Sequence, residues 1–147
     1  MIYWLTGQPG AGKTTLAKWL EAHFAAKGKT IIVDGDDIRA IFDNKDYSEA
    51  GRRKNIELAQ NIAKFFHYKG NTVIVSLVSP YKDQRDSFKE AMGDGIREIY
   101  VHTSSIRGRE QFHVQEYGMP TENFIDIDTT DRPEFETAQE LTQKLSL

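Results

Sequence analysis

The sequence predicts an α/β fold in which a mainly parallel sheet is covered by helices on both faces. Short strand-like runs alternate with amphipathic helical patterns from one end to the other. A glycine-rich loop joins the first strand to the first helix, and 147 residues suffice for only one ordinary domain. We therefore expect a single domain over residues 1–147.

Five runs rich in β-branched or aromatic residues predict the strands. They cover residues 2–5, 30–33, 72–78, 96–101 and 124–127. Because helical patterns separate them, the strands are expected to run parallel, with their carboxyl ends at one edge of the sheet. Ligands bind at that edge in open parallel sheets, so functional residues are expected just after each strand.

Apolar residues at helical spacing predict the helices. Residues 14–26 and 48–68 each place apolar side chains at positions i, i+3 and i+4, and a last helix at residues 133–145 is expected to pack on the sheet edge. The aromatic pairs Tyr3-Trp4 and Phe65-Phe66 are interpreted as core.

Composition excludes several classes of protein. The net charge of −3 provides no general positive field for a long nucleic acid, and the absence of cysteine excludes a disulfide framework and a Cys-based zinc site. No apolar run is long enough to span a membrane, and the first residues lack a secretory-signal pattern. We expect a cytoplasmic protein with no membrane partner and no long nucleic acid as a partner.

The loop after the first strand predicts a phosphate site. It reads Gly7-Gln8-Pro9-Gly10-Ala11-Gly12-Lys13-Thr14, followed by Thr15, and satisfies G-x-x-x-x-G-K-[ST]. Such a loop turns its backbone N–H groups toward phosphate oxygens, with a helix N-terminus behind it. Lys13 is expected to reach the β- and γ-phosphates of ATP, and the Thr14 hydroxyl to ligate Mg²⁺. The expected fold thus becomes a P-loop NTPase-type three-layer sandwich.

Two common kinds of P-loop protein do not fit. A switch GTPase requires N-K-x-D, whereas Asn44-Lys45-Asp46 has its aspartate one residue early. A motor ATPase usually ends a strand in an acidic residue, whereas the third strand runs into Ser79-Pro80. The metal-side carboxylate is therefore expected elsewhere.

An acidic turn follows the second strand. Asp34, Asp36 and Asp37 lie within four residues, where their charges repel one another unless a cation is present. A Mg²⁺–triphosphate beside the P-loop would supply that cation, one carboxylate orienting metal-bound water and another accepting a proton. The alternative is that Asp36 or Asp37 caps a short helix toward Phe42. We expect catalysis from Asp34 and Asp36, and a structural role for Asp37.

Candidates for holding a polar or anionic acceptor lie around that turn. Arg39 follows Asp36 by about one helical turn, and Arg52 and Asn55 are three apart on one helix face. Arg85 is a fourth candidate. Guanidinium groups suit bidentate contacts with phosphate or sulfate.

With these residues the sequence resembles the adenylylsulfate kinase family, which phosphorylates the 3′-hydroxyl of adenosine 5′-phosphosulfate with ATP. The resemblance covers nearly the whole chain. It includes Gly7 to Thr14, Asp34-Gly35-Asp36 with Arg39, Tyr47-Ser48, Arg52, Asn55-Ile56, Ser79-Pro80-Tyr81, Arg85-Asp86, Glu98 to Val101, Tyr117, Pro120 and Ile127-Asp128-Thr129.

The resemblance implies specific roles. Asp36 would be the base near the acceptor hydroxyl and Asp34 the metal-side carboxylate. The phosphosulfate nucleotide would be held by Arg39, Arg52 and Asn55, with Ser79 and Pro80 also lining its site. Tyr47 stands where the family usually has a Phe that stacks on the substrate adenine. The resemblance also implies ATP and Mg²⁺ as cofactors and a place in sulfate assimilation, and it leaves a homodimer possible.

The sequence departs from the family at the lid after the fourth strand. Both usual lid motifs are missing, and about twenty residues with them. Arg107 and Arg109 remain in a short stub. They are interpreted either as contacts to ATP, at the adenine or near the phosphates, or as exposed loop charges. Lids exclude water and complete such sites, so this departure bears on activity.

Three functions therefore stay open. The first is phosphorylation of adenosine 5′-phosphosulfate, and the second is transfer to another nucleotide conjugate or a polynucleotide end. The third is a nucleotide-binding module without turnover. No spacing among the four histidines makes a metal site.

Overall fold

The computed structural model describes all of residues 1–147. In chain order its elements are β1 (Ile2–Thr6), α1 (Lys13–Phe24), β2 (Thr30–Asp34), α2 (Gly35–Ile41), α3 (Glu49–Tyr68), β3 (Thr72–Ser76), α4 (Lys82–Met92), β4 (Ile96–His102), β5 (Phe124–Asp128) and α5 (Glu134–Lys144). Single 3₁₀ turns lie at Gly93–Gly95 and Glu110–Phe112.

The five strands form one parallel sheet in the order β2-β3-β1-β4-β5. β1 lies at the centre and β2 two strands away, with β3 between them. Residue Leu5 of β1 is level with Ser76 of β3, which is level with Asp34 of β2. The loops that follow β1 and β2 therefore leave the sheet at the same edge, which confirms the predicted fold class.

Successive side chains of a strand point to opposite faces of the sheet, and they form two separate hydrophobic cores, one on each face. Ile2 and Trp4 face α2, α3 and α4, while Tyr3 and Leu5 face α1 and α5. Burial of apolar surface on both faces fixes the central strands. α5 packs against β5 and α1, as predicted.

One helix was not predicted, and one expectation about the core needs correction. α4 carries only three buried side chains, Arg85, Phe88 and Met92, and one of these is charged, so its helical period was not predicted from apolar residues. Phe65 is 56% exposed and is not core, although the Tyr3-Trp4 pair is buried as expected. No helix is both long and apolar enough to span a bilayer.

Candidate active site

Two glycines of the P-loop hold backbone conformations and close contacts that disfavour a side chain. Gly7 has φ 154°, and a Cβ there would lie 2.0 Å from the Val101 carbonyl oxygen of the neighbouring β4. Gly10 has φ 83°, and its Cβ would press on Arg109 at 3.1 Å. The loop is therefore packed between the end of β4 and the segment after it, and opens directly into α1.

Lys13 is the buried charge of this loop. Its side chain is 9% exposed, and its Nζ donates to the carbonyl oxygens of Gly7 at 2.8 Å and Gln8 at 3.0 Å. Burial, with a further contribution from Arg109, lowers the pKa of Lys13 to about 8, while the charge of Asp34 opposes this shift. Both Arg109 and Asp34 thus act electrostatically on the ammonium group.

Asp34 itself caps α2. Its Oδ1 accepts from the Asp36 amide at 2.8 Å, so the helix cap is Asp34 and not Asp36 or Asp37. The Asp36 and Asp37 side chains are exposed. The capping bond fixes the orientation of the Asp34 carboxylate and leaves its second oxygen without a hydrogen-bond partner, whereas Asp36 keeps both of its oxygens available.

The acceptor-side arginines differ in how far they are already engaged. Nη1 of Arg39 donates to the carbonyl oxygens of Asn44 and Asp46, each at 3.0 Å, and its guanidinium lies 4.0 Å from the centre of the Tyr47 ring. Tyr47 is 63% exposed, so the ring face not covered by Arg39 is available for stacking. The Arg52 side chain is partly buried and makes no hydrogen bond or ion pair, although its backbone N–H donates to the Ser48 carbonyl oxygen.

Asn55 lies beneath the acidic turn. It is 4% exposed, and its Nδ2 donates to the Gly35 carbonyl oxygen at 3.4 Å. Its Oδ1 is buried without a hydrogen-bond partner. A buried amide oxygen without a hydrogen-bond partner costs stability, so a bound molecule that donates a hydrogen bond to this oxygen would be stabilised.

Ser79 and Pro80 form a buried wall after β3. Ser79 has φ 39°, and its Oγ accepts from the Trp4 Nε1 at 3.0 Å and donates to the Leu77 carbonyl oxygen at 3.3 Å. These bonds occupy its hydroxyl, and with only 1% of Ser79 exposed the residue shapes the site through the backbone.

Arg85 does not face the site, contrary to expectation. Its side chain is 1% exposed and pairs with Glu98 at 2.9 Å, and Nη1 donates to the Ser79 carbonyl oxygen at 2.7 Å. Nη2 donates to the Gly118 carbonyl oxygen. Each of its three guanidinium nitrogens already donates to a protein group, so the buried Arg85 joins the Ser79 turn to the segment after the lid.

The lid is short, and we call residues 107–117 the lid segment. Arg107 donates to the carbonyl oxygens of Gly10 at 3.3 Å and Thr129 at 2.7 Å. The Arg109 guanidinium lies 5.6 Å from the Phe112 ring centre and makes no hydrogen bond or ion pair. Arg107 is therefore tied to the base of the P-loop, and Arg109 keeps all its donors.

Several contacts at the site carry no recognisable sequence signal. Thr129 Oγ1 donates to the Ala11 carbonyl oxygen at 2.7 Å, joining the loop after β5 to the P-loop. Thr6 Oγ1 donates to the Val78 carbonyl oxygen and accepts from the Tyr117 hydroxyl at 2.6 Å. Burial raises the pKa of Tyr117 to about 12, which keeps this hydroxyl a donor. Only the resemblance had singled out Thr129 and Tyr117.

The sheet order, the P-loop after the central strand and the acidic turn at the same edge define a protein of the P-loop NTPase fold. The family model described as adenylylsulphate kinase matches residues 1–117. The chain therefore belongs to the adenylylsulfate kinase family.

Individual proteins agree with this assignment. The adenylyl-sulfate kinase of Bacillus velezensis is 38% identical over 104 residues, which are 68% of this chain and 52% of that protein. The chain thus spans about half the length of that relative.

Solved structures share the fold. The Mycobacterium tuberculosis APS kinase CysC, in complex with AMPPNP and APS, superposes with a TM-score of 0.83 at 22% identity, covering 99% of this chain and 97% of that one. A hexameric APS kinase from Thiobacillus denitrificans gives 0.80 at 25% identity, covering 99% and 28%.

Proposed function

We propose that this protein transfers the γ-phosphoryl group of MgATP to the 3′-hydroxyl of adenosine 5′-phosphosulfate. The observation that carries the proposal is that the loop with Lys13 and the acidic turn with Asp34 leave the parallel sheet at the same edge. A triphosphate on the P-loop would end between them. The extent of the family match, from the P-loop to Tyr117, supports the choice of acceptor.

The P-loop side would bind and orient ATP. Backbone N–H groups from Gly7 to Thr15 would surround the phosphates, and the Lys13 ammonium would exchange its carbonyl partners for the β- and γ-phosphate oxygens. Because Lys13 is buried, its charge would be little screened by water and would act strongly on the charge that develops during transfer.

The residues fit a Mg²⁺ ion. Thr14 has an exposed hydroxyl without a partner, and Asp34 has one oxygen free after capping α2. Mg²⁺ is usually held by one or two such protein oxygens together with phosphates and water. When bound, the ion neutralises charge on the phosphates.

Asp36 would act as the general base. Its carboxylate is exposed beside the Asp34 cap and has no competing side-chain partner. It would accept the proton of the acceptor 3′-hydroxyl while that oxygen bonds to the γ-phosphorus and the bond from the γ-phosphorus to the ADP oxygen breaks.

The acceptor nucleotide would lie between α2 and α3. Tyr47 offers one ring face for the adenine, with Arg39 stacked on the other. The Arg52 guanidinium is free to bind the phosphosulfate. The buried Oδ1 of Asn55 has no hydrogen-bond partner and would accept a hydrogen bond from a donor group of the nucleotide. Since Arg39 already holds two carbonyl oxygens, its main contribution here would be to support Tyr47.

A panel of acceptors incubated with MgATP, with products identified by mass, tests the proposal. We expect the product of adenosine 5′-phosphosulfate to gain one phosphoryl group, located on the ribose 3′-oxygen by phosphorus NMR. Preferential phosphorylation of another nucleotide conjugate or of a polynucleotide end would overturn the choice of acceptor. If ATP is not consumed with any acceptor of the panel, the kinase activity itself is overturned.

Assembly and location remain proposals that depend on this one. We propose a homodimer, since the adjacent residues Ile41 and Phe42 expose apolar surface. Sedimentation of the purified chain at several concentrations tests it. Consumption of ATP is the reason to expect the protein in the cytoplasm.

A further inference from the structure

The Gln8 side chain joins the P-loop to the lid segment by two hydrogen bonds. Its Nε2 donates to the Val114 carbonyl oxygen at 2.7 Å, and its Oε1 accepts from the Val114 amide at 2.9 Å. These residues are 106 positions apart in the chain. A side-chain amide that pairs with both the N–H and the C=O of one residue satisfies a donor and an acceptor on each side, and fixes their relative orientation.

Gln8 makes the only hydrogen bonds between the middle of the lid segment and the rest of the protein. At one end Arg107 holds the Gly10 and Thr129 carbonyl oxygens, and at the other the Tyr117 hydroxyl donates to Thr6. Between these ends, the remaining hydrogen bonds of residues 108–116 stay within the segment, as in the turn at Glu110–Phe112. Removing Gln8 would therefore free the middle while the ends remain attached.

The middle of the segment carries Arg109. Its Cβ lies so close to Gly10 that a side chain on that glycine would meet it at 3.1 Å, and its charge lowers the pKa of Lys13. Its guanidinium has no hydrogen-bond or ion-pair partner, although it lies beside a phosphate-type loop. The Arg109 guanidinium is thus a second positive group near Lys13 whose N–H donors are unused. A guanidinium can bind two phosphate oxygens at once through parallel N–H groups.

We propose that Gln8 is a positioning residue, which fastens the shortened lid segment onto the P-loop and thereby holds Arg109 beside Lys13 for the phosphates of ATP. The inference rests on the proposed nucleotide function. Gln8 acts through Val114, and its side chain is not assigned a contact with the phosphates. Because the segment is fastened before ATP arrives, less ordering remains to be done on binding. A short lid can then serve where a long mobile one is missing.

Hydrogen exchange of the ligand-free protein tests the fastening by itself. Gln8→Met keeps the length of the side chain and removes both hydrogen bonds. We expect protection of the Val114 amide to fall roughly tenfold, the equivalent of one net hydrogen bond. Gln115→Ala is the matched control, because Gln115 is an exposed amide next to Val114 that makes no hydrogen bond, and it should leave protection unchanged. Equal protection in wild type and Gln8→Met would overturn the fastening.

A double-mutant cycle on nucleotide affinity tests the positioning. With Mg²⁺ and a non-hydrolysable ATP analogue, Gln8→Met and Arg109→Ala should each raise Kd by about tenfold, and the double variant no further than Arg109→Ala alone. Additive losses would overturn the positioning of Arg109. No acceptor is present, so failure to phosphorylate adenosine 5′-phosphosulfate leaves this test valid, whereas failure of the wild type to bind the analogue would sink both proposals.

Discussion

Binding of ATP should draw a proton into the P-loop at mildly alkaline pH. Burial and the nearby Arg109 lower the pKa of Lys13 to about 8. Phosphates placed against the ammonium favour its charged form and raise that pKa again. Above this pKa, Lys13 is therefore a neutral amine in most of the ligand-free molecules, and nucleotide binding protonates it again.

The size of this effect follows from the pKa. Near pH 8.5, roughly three-quarters of Lys13 would be neutral, and near pH 7 roughly a tenth. We thus expect uptake of roughly 0.7 proton per ATP at the higher pH and roughly 0.1 at the lower one. ATP affinity should fall as pH rises above the ligand-free pKa, because the ammonium must first be regenerated.

Calorimetric titration in two buffers of different ionisation enthalpy measures the uptake directly, with Mg²⁺ and a non-hydrolysable ATP analogue. Arg109→Ala should reduce it, since loss of that positive charge raises the pKa of Lys13. Lys13→Arg provides the control, because a guanidinium stays charged throughout this range. Uptake in Lys13→Arg equal to that of wild type, or none in wild type at the higher pH, would refute the reasoning.

Three substitutions test other parts of the site. Asp36→Asn should lower kcat by at least about a hundredfold with little change in ATP affinity; a collapse of ATP binding would instead make Asp36 a metal ligand. Arg52→Ala should raise the acceptor KM about tenfold or more, whereas the neighbouring Arg53→Ala, which removes surface ion pairs with Glu49 and Asp83 and a stacking contact with Tyr81, should not; an effect confined to ATP would contradict the assignment. Arg85→Leu should lower the free energy of unfolding in urea by about 3–5 kcal/mol, because the buried Glu98 keeps only Lys89 as a partner and the Ser79 and Gly118 carbonyl oxygens each lose a donor; a loss under about 1 kcal/mol would mean the pair is dispensable.

The parts of the fold that the sequence predicts are those built from local patterns. Apolar runs and helical spacing predict all five strands and helices α1, α3 and α5, because burial on both faces of the sheet requires those patterns. The apolar pattern does not predict α4, because a charged residue, Arg85, occupies one of its buried positions. The same residue was expected in the site for its charge alone, while its partner Glu98 lies on β4.

The site divides in the same way. The P-loop and the acidic turn are each one continuous stretch of sequence, so the chemistry of each can be predicted from neighbouring residues. The strand order then brings the two stretches to one edge of the sheet. The contacts of the lid segment are not local, since Gln8 meets Val114 and Arg107 meets Thr129 only after the chain has folded. The engagement of Arg39 with Tyr47 likewise depends on the turn between α2 and α3.

A crystal structure with Mg²⁺ and a non-hydrolysable ATP analogue would test most directly whether the P-loop and the acidic turn serve one nucleotide. We predict that the triphosphate lies in the loop from Gly7 to Thr14, with Thr14 and Asp34 on the same Mg²⁺ and Lys13 on the terminal phosphate. A triphosphate bound elsewhere, or an Asp34 carboxylate that remains remote from the metal, would contradict it.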